Sequence, residues 1–144
     1  MKIGLIGFSG SGKSSLAEIA KRSGFRTVDT DMSLIERYGV GEFSSIIDRE
    51  KDFRSMESEV IKDALNSDAQ IIAFGGGFHR SHKSFENVAS SSMKLIYLRT
   101  DFDDIVERVK DRPLFLKLGI EKYRVLFEER MPLYAGCADF TVDS

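Results

Sequence analysis

Cysteine occurs once in this 144-residue chain, proline twice, histidine twice and tryptophan not at all. A lone cysteine, Cys137, allows neither an internal disulfide nor a multi-cysteine zinc site. No apolar run approaches the ~18 residues that mark a membrane-crossing helix, so no membrane partner is expected. The N-terminal MKIGLIGFSGSGKSS has only a short apolar stretch, which leads straight into a glycine-rich turn. It therefore reads as a strand of the mature protein and not as a signal peptide. An excess of one charge is also missing: 21 Lys+Arg face 23 Asp+Glu, a formal net charge of -2. That balance excludes a general nucleic-acid binder but leaves room for a local basic pocket. Internal repeats, linkers and low-complexity tracts are lacking. What is present is 42% hydrophobic residues with 11 Phe and 4 Tyr, enough for a core. The length suits one domain over residues 1–144. A cytoplasmic location is expected.

Short apolar runs alternate with segments of helical spacing. Strands are expected at Ile3–Phe8, Phe25–Val28, Gln70–Phe74, Lys94–Leu98 and Asp139–Val142. Helices are expected at Ser14–Arg22, Met32–Tyr38, Ser81–Ser90, Asp101–Lys110 and Ile120–Met131. A further polar helical stretch covers Gly41–Asn66, with a break near Arg49–Asp52 and its clearer part at Phe53–Leu65. This alternation predicts an α/β fold with a parallel sheet and helices on both faces. Gly7–Ser14, Asp29–Asp31 and Gly75–Gly77 each follow a strand, so the topology brings them to one rim.

Gly7-Phe8-Ser9-Gly10-Ser11-Gly12-Lys13-Ser14 matches G-x-x-x-x-G-K-[ST] in full. A buried strand precedes it and a helix follows, as the motif requires. Its glycines, Gly10 and Gly12 among them, let backbone N–H groups turn inward on phosphate oxygens. Ser11, Lys13, Ser14 and Ser15 stand at the following helix N-terminus, which favours anions. Lys13 is expected on the β- and γ-phosphates of ATP, and the Ser14 hydroxyl on Mg2+. The third strand, QIIAF, carries no acid for the metal. Asp29 and Asp31, two apart at the end of the second strand, are placed to point the same way and supply one. One of them can also orient an acceptor hydroxyl and take its proton; both also suit a helix cap.

Three further features are less specific singly. Arg54 lies in Phe53-Arg54-x-x-Glu57 at the start of a charged helix. Gly75-Gly76-Gly77 carries a high entropy cost that a close backbone approach would explain. Arg112-Pro113-Leu114 and Arg130-x-Pro132-Leu133-Tyr134 bracket a short helical region, with Arg112 able to swing over phosphates on a mobile lid.

Taken in order, GFSGSGKSS, VDTDMSLIE, FRSMESEVI, IIAFGGG, RPLF and ERMPLYAGCADFTV resemble the shikimate kinase family, a small branch of the nucleoside-monophosphate-kinase-like P-loop group. The resemblance runs from Met1 to Val142. It implies a P-loop three-layer sandwich on a five-stranded parallel sheet, with a lid near residues 111–120. It implies transfer of the γ-phosphoryl of ATP to the 3-hydroxyl of shikimate. By motif, Lys13 and Ser14 then handle phosphate and magnesium, and Asp29 is the acid near the metal. Asp31 binds the shikimate hydroxyls and is the candidate base. Arg54 and Arg130 grip the substrate carboxylate, while Gly75, Gly76 and Gly77 close over the substrate. Arg112 is the lid arginine on the transferring phosphate. Arg108 is the residue that rests against adenine.

The family pattern usually continues past the fifth strand, whereas this sequence stops at Ser144. An incomplete adenine site is expected from that, as is an exposed sheet surface that a second copy could shield; otherwise a monomer is expected. Two other readings stand beside the first: a kinase for another small hydroxy acid such as gluconate, and a nucleotide- or metabolite-binding protein without turnover. His79 and His82 are assigned no metal. Cys137 reads as a small hydrophobe, and Phe102, Phe115, Phe127 and Phe140 as core or lid packing.

Overall fold

The first apolar run forms strand β1, Ile3–Ile6, in a computed structural model that describes residues 2–39, 50–80 and 82–144. Helix α1 (Lys13–Arg22), β2 (Thr27–Asp29) and α2 (Thr30–Tyr38) follow. Then come α3 (Glu50–Asn66), β3 (Ile71–Ala73), a 3-10 turn at Phe78–Arg80 and α4 (His82–Ala89). The chain closes with β4 (Lys94–Arg99), α5 (Phe102–Val109), α6 (Pro113–Cys137) and β5 (Phe140–Asp143). Every strand pairing is parallel, in the order β2-β3-β1-β4-β5. This is the expected three-layer sandwich. Central β1 holds Leu5 against Ala73 on one side and Ile96 on the other.

Alternation along β1 assigns the two faces. Leu5 packs with Ala17 of α1 and Ala73 on one face. Ile6 joins Ile72, Leu95 and Tyr97 on the other, beneath α3, α4, α5 and α6. Parallel strands covered on both faces need apolar side chains at nearly every position, and IGLI, IIA and KLIYLR supply them. Strand β5 differs. It is the sheet edge, all four residues are exposed, and Phe140 is 60% exposed instead of packed.

Two elements run otherwise than the sequence suggests. Helix α3 begins at Glu50, three residues before the clearer part expected at Phe53, while the rest of the expected break and the stretch 41–49 lie outside the described residues. The expected helix Ile120–Met131 belongs to a longer α6 that extends to Cys137. Pro132 sits on the exposed side of α6, where water can satisfy the carbonyl that loses its helical partner. The real interruption is Gly119, whose φ of 78° favours glycine and separates the Pro113–Leu118 segment from the rest. No described helix is long and apolar enough to cross a membrane.

Candidate active site

The loop after β1 bends through Gly7, Gly10 and Gly12, all at positive φ. The Gly12 conformation starts α1 without a side-chain cap, leaving the first amides of the helix directed outward. Lys13 is buried, and its ammonium donates to the carbonyls of Gly7 at 2.6 Å and Phe8 at 3.0 Å. A cleft of about 620 Å3 opens over this loop, lined by Lys13, Ser14, Ser15, Asp31, Arg108 and Arg112 among others. Arg108 donates to the Gly10 carbonyl at 2.9 Å and Arg112 to Ser9 Oγ at 3.3 Å. Two arginines from α5 and the start of α6 thus approach the glycine loop. The end of β5 completes the rim, with Ser144 Oγ donating to the Ser11 carbonyl at 2.8 Å.

Asp29 has two roles at once. Oδ1 accepts from the amides of Asp31 and Met32 and caps α2, while Oδ2 accepts from Ser14 Oγ at 2.5 Å. A hydroxyl and a carboxylate oxygen side by side, next to the amide-rich loop, form a hard-oxygen donor set that fits Mg2+. The cap also corrects the sequence expectation that Asp29 and Asp31 point the same way from a strand. The strand ends at Asp29 and the helix begins at Thr30, so Asp31 lies in the first helical turn. There its carboxylate approaches Gly75 instead of Ser14.

A second pocket adjoins the cleft. It is lined by Asp31, Arg54, Glu57, Gly76, Gly77 and Arg130, with Phe53 behind. Its free volume of about 10 Å3 has room for roughly one water molecule. Arg54 donates to Glu57 Oε1 at 2.8 Å and to the Gly77 carbonyl at 3.1 Å. Arg130 is 4% exposed and stands over the Phe8 ring at 5.8 Å. Arg54 stands over Phe53 at 5.0 Å. Aromatic faces of this kind hold a guanidinium in one orientation.

Crowding accounts for two of the three glycines, Gly75 and Gly77, whereas a Cβ on Gly76 would make only ordinary contacts. A Cβ on Gly75 would lie 2.5 Å from Asp31 Oδ1, and one on Gly77 2.8 Å from Arg54 Nη1. A Cβ on Gly76 would meet Arg130 Nη1 and the Tyr134 hydroxyl at 3.5 Å each. The close approach comes from the protein's own polar side chains.

Burial shapes the titration of two groups. Glu57 is raised to about 7, chiefly by burial, with Arg54 opposing and Asp31 adding to the rise. His79 is lowered to about 4 by burial and then by Arg130, Arg80 and Arg54. It packs edge-on against Phe78 and Tyr134. No cluster of three or more metal-ligating side chains occurs among the described residues, and the side chain of His82 lies outside them. Cys137 is half-buried, with its thiol raised by burial.

All the sequence-derived candidates thus fall on one rim. Lys13, Ser14, Ser15, Arg108 and Arg112 surround the cleft, and Ser14 bridges to Asp29. Asp31 lines both cleft and pocket, and Arg54, Gly76, Gly77 and Arg130 line the pocket. Gly75 lies behind Asp31. The sequence reading left three residues without a role. Glu57 was legible in the i, i+3 spacing from Arg54, and Tyr134 stood in the Arg130-x-Pro132-Leu133-Tyr134 motif without a task, whereas Thr30, which accepts from the Gly75 amide at 2.9 Å, had no local signal.

A phosphate-binding loop on a five-stranded parallel sheet, facing a separate arginine-lined pocket, defines an ATP-dependent kinase of small molecules. A sequence profile described as shikimate kinase matches residues 9–144. The shikimate kinase of Dehalococcoides mccartyi is 34% identical, covering 99% of this chain and 83% of its own. The structure of shikimate kinase from Acinetobacter baumannii in complex with shikimate superposes with a TM-score of 0.86 at 26% identity, over 99% of this chain and 83% of that one. That of the Aquifex aeolicus enzyme gives 0.80 at 31% identity, over 99% and 86%. The chain belongs to the shikimate kinase family.

Proposed function

We propose that this chain transfers the γ-phosphoryl group of ATP to the 3-hydroxyl of shikimate, giving shikimate 3-phosphate and ADP. The observation that carries this reading is the position of Asp31. It lines both the P-loop cleft and the arginine pocket, where an acceptor hydroxyl must meet the phosphate.

Each residue then has a definable task. Arg54 and Arg130 offer charge-assisted, potentially bidentate bonds to a carboxylate, which selects an acid as acceptor. Asp31 accepts the hydrogen bond of the acceptor hydroxyl and holds its oxygen towards the γ-phosphorus. As the new O–P bond forms and the bond to the leaving ADP oxygen breaks, the hydroxyl proton passes to the Asp31 carboxylate. Such transition states are loose, so aim outweighs basicity. Lys13 leaves the loop carbonyls for phosphate oxygens, and Arg112 adds positive charge from the lid segment at 111–120. Arg108 flanks the nucleotide. Mg2+ would neutralise phosphate charge, held by Ser14 and Asp29. The near-closed pocket implies that shikimate enters as Arg54 and Arg130 turn from their protein contacts to its carboxylate.

A coupled ADP-release assay with ATP, Mg2+ and a panel of shikimate, gluconate and other hydroxy acids tests the reading. Shikimate-dependent turnover supports it, and turnover only with gluconate moves the assignment to that acid. Shikimate binding by calorimetry without ADP release points to a binding protein. Size-exclusion chromatography is expected to return a monomer.

A further inference from the structure

Loops that carry three glycines have no side chains to bias their peptide planes, so something outside must fix them. Here each glycine is tied by a different element. The Gly75 amide donates to Thr30 Oγ1 at 2.9 Å, and the Gly77 carbonyl accepts from Arg54 at 3.1 Å. The middle carbonyl, that of Gly76, accepts from the buried Tyr134 hydroxyl at 2.5 Å. Tyr134 is 1% exposed and lies one helical turn beyond Arg130 on the buried side of α6. Its ring is held independently of the hydroxyl, against Tyr97 at 5.4 Å and His79 at 5.8 Å. Because the peptide is planar and trans, fixing the Gly76 carbonyl also fixes the direction of the Gly77 N–H. Both glycines line the acceptor pocket.

We propose that Tyr134 is a positioning residue for the acceptor: its hydroxyl sets the Gly76–Gly77 peptide plane and ties that loop to the helix carrying Arg130. It touches neither ATP nor acceptor, and acts through Gly76. The proposal rests on the shikimate kinase reading for its substrate, and on geometry alone for the loop. Gly76 also packs beside the Ser9 amide, but the P-loop hydrogen bonds of Lys13, Arg108 and Arg112 go to other carbonyls and hydroxyls, so losing the Tyr134 hydroxyl acts chiefly on the acceptor side.

The test is Tyr134→Phe, which keeps the ring and removes only the hydroxyl. A buried carbonyl left without this donor costs enough to predict about a tenfold rise in KM for shikimate. KM for ATP stays at the wild-type value. Amide exchange over residues 76–80 becomes faster, a readout independent of turnover. Tyr97→Phe, which removes a neighbouring hydroxyl, leaves both readouts unchanged. Unaltered exchange and unaltered shikimate KM in Tyr134→Phe overturn the proposal. So does an equal rise in both KM values, or the same effect from Tyr97→Phe, since these mark general loosening. Absence of shikimate turnover in the wild type with faster exchange in Tyr134→Phe refutes the substrate but keeps the loop assignment.

Discussion

Replacing Gly75 by alanine adds one methyl group at the point where the account is most exposed. The added carbon would stand 2.5 Å from Asp31 Oδ1 and 3.3 Å from its Cγ. That is roughly 1 Å nearer than unbonded atoms ordinarily settle. The Gly75 amide is bonded to the fully buried Thr30, so the loop resists sliding away and the Asp31 carboxylate yields instead. Overpacking of this kind costs about 1–3 kcal/mol of stability. The low end is expected here, because the group that moves is a side-chain tip. A misplacement of about 1 Å in an aiming group costs on the order of 10^2-fold in rate. Gly75→Ala should therefore stay folded, bind ATP as the wild type does, and lose about 10^2-fold in kcat. Asp31→Asn should match it. Steady-state ADP release, an ATP titration and a thermal melt read the three quantities. Near-normal kcat in folded Gly75→Ala would refute the reasoning, because Asp31 could not then require its present position.

Other consequences follow from the same geometry. Lys13→Ala should abolish nearly all turnover while the melt persists, because a point charge on the phosphates is lost; near-normal kcat would remove the P-loop role. Arg54→Gln and Arg130→Gln should each weaken shikimate use by about 1.5–3 kcal/mol while sparing ATP. Neither variant should discriminate shikimate from its carboxamide as strongly as wild type does, and an unchanged preference contradicts the clamp. Glu57 titrates near 7 in the fold, above its unfolded value of 4.5, mainly through burial. Its contribution to stability is thus fully present below about pH 4.5 and lost as pH rises through about 7, on the order of 3 kcal/mol. Urea unfolding across that window should show wild type losing stability relative to Glu57→Gln as pH rises, because the amide does not ionise; parallel curves contradict it.

The P-loop was legible because its chemistry is local: eight consecutive residues carry the glycines, the lysine and the hydroxyl. The three inner strands, β3, β1 and β4, were legible because both-face burial demands continuous apolar runs. Arg54 and Arg130 were different. Each sits on a charged helix, so only the order of surrounding motifs singled them out, and their meeting across one pocket is a tertiary fact. Asp31 was identified as a site residue but given the wrong local structure. The Asp29 cap starts the helix at Thr30, two residues before the expected Met32. The helix expected to end at Met131 runs on past Pro132, because burial of Phe127, Arg130 and Tyr134 on one side carries it further. The partners of Thr30 and Tyr134 were not legible because a hydroxyl that holds a distant carbonyl or amide leaves no spacing pattern behind.

The most direct measurement is phosphorus NMR on the purified chain mixed with ATP, Mg2+ and shikimate. The account predicts loss of the γ-phosphate resonance in step with a new phosphomonoester whose phosphorus couples to the proton on carbon 3. ATP left intact while calorimetry shows bound shikimate would contradict phosphoryl transfer. A phosphomonoester coupled to another ring proton would contradict the aim assigned to Asp31.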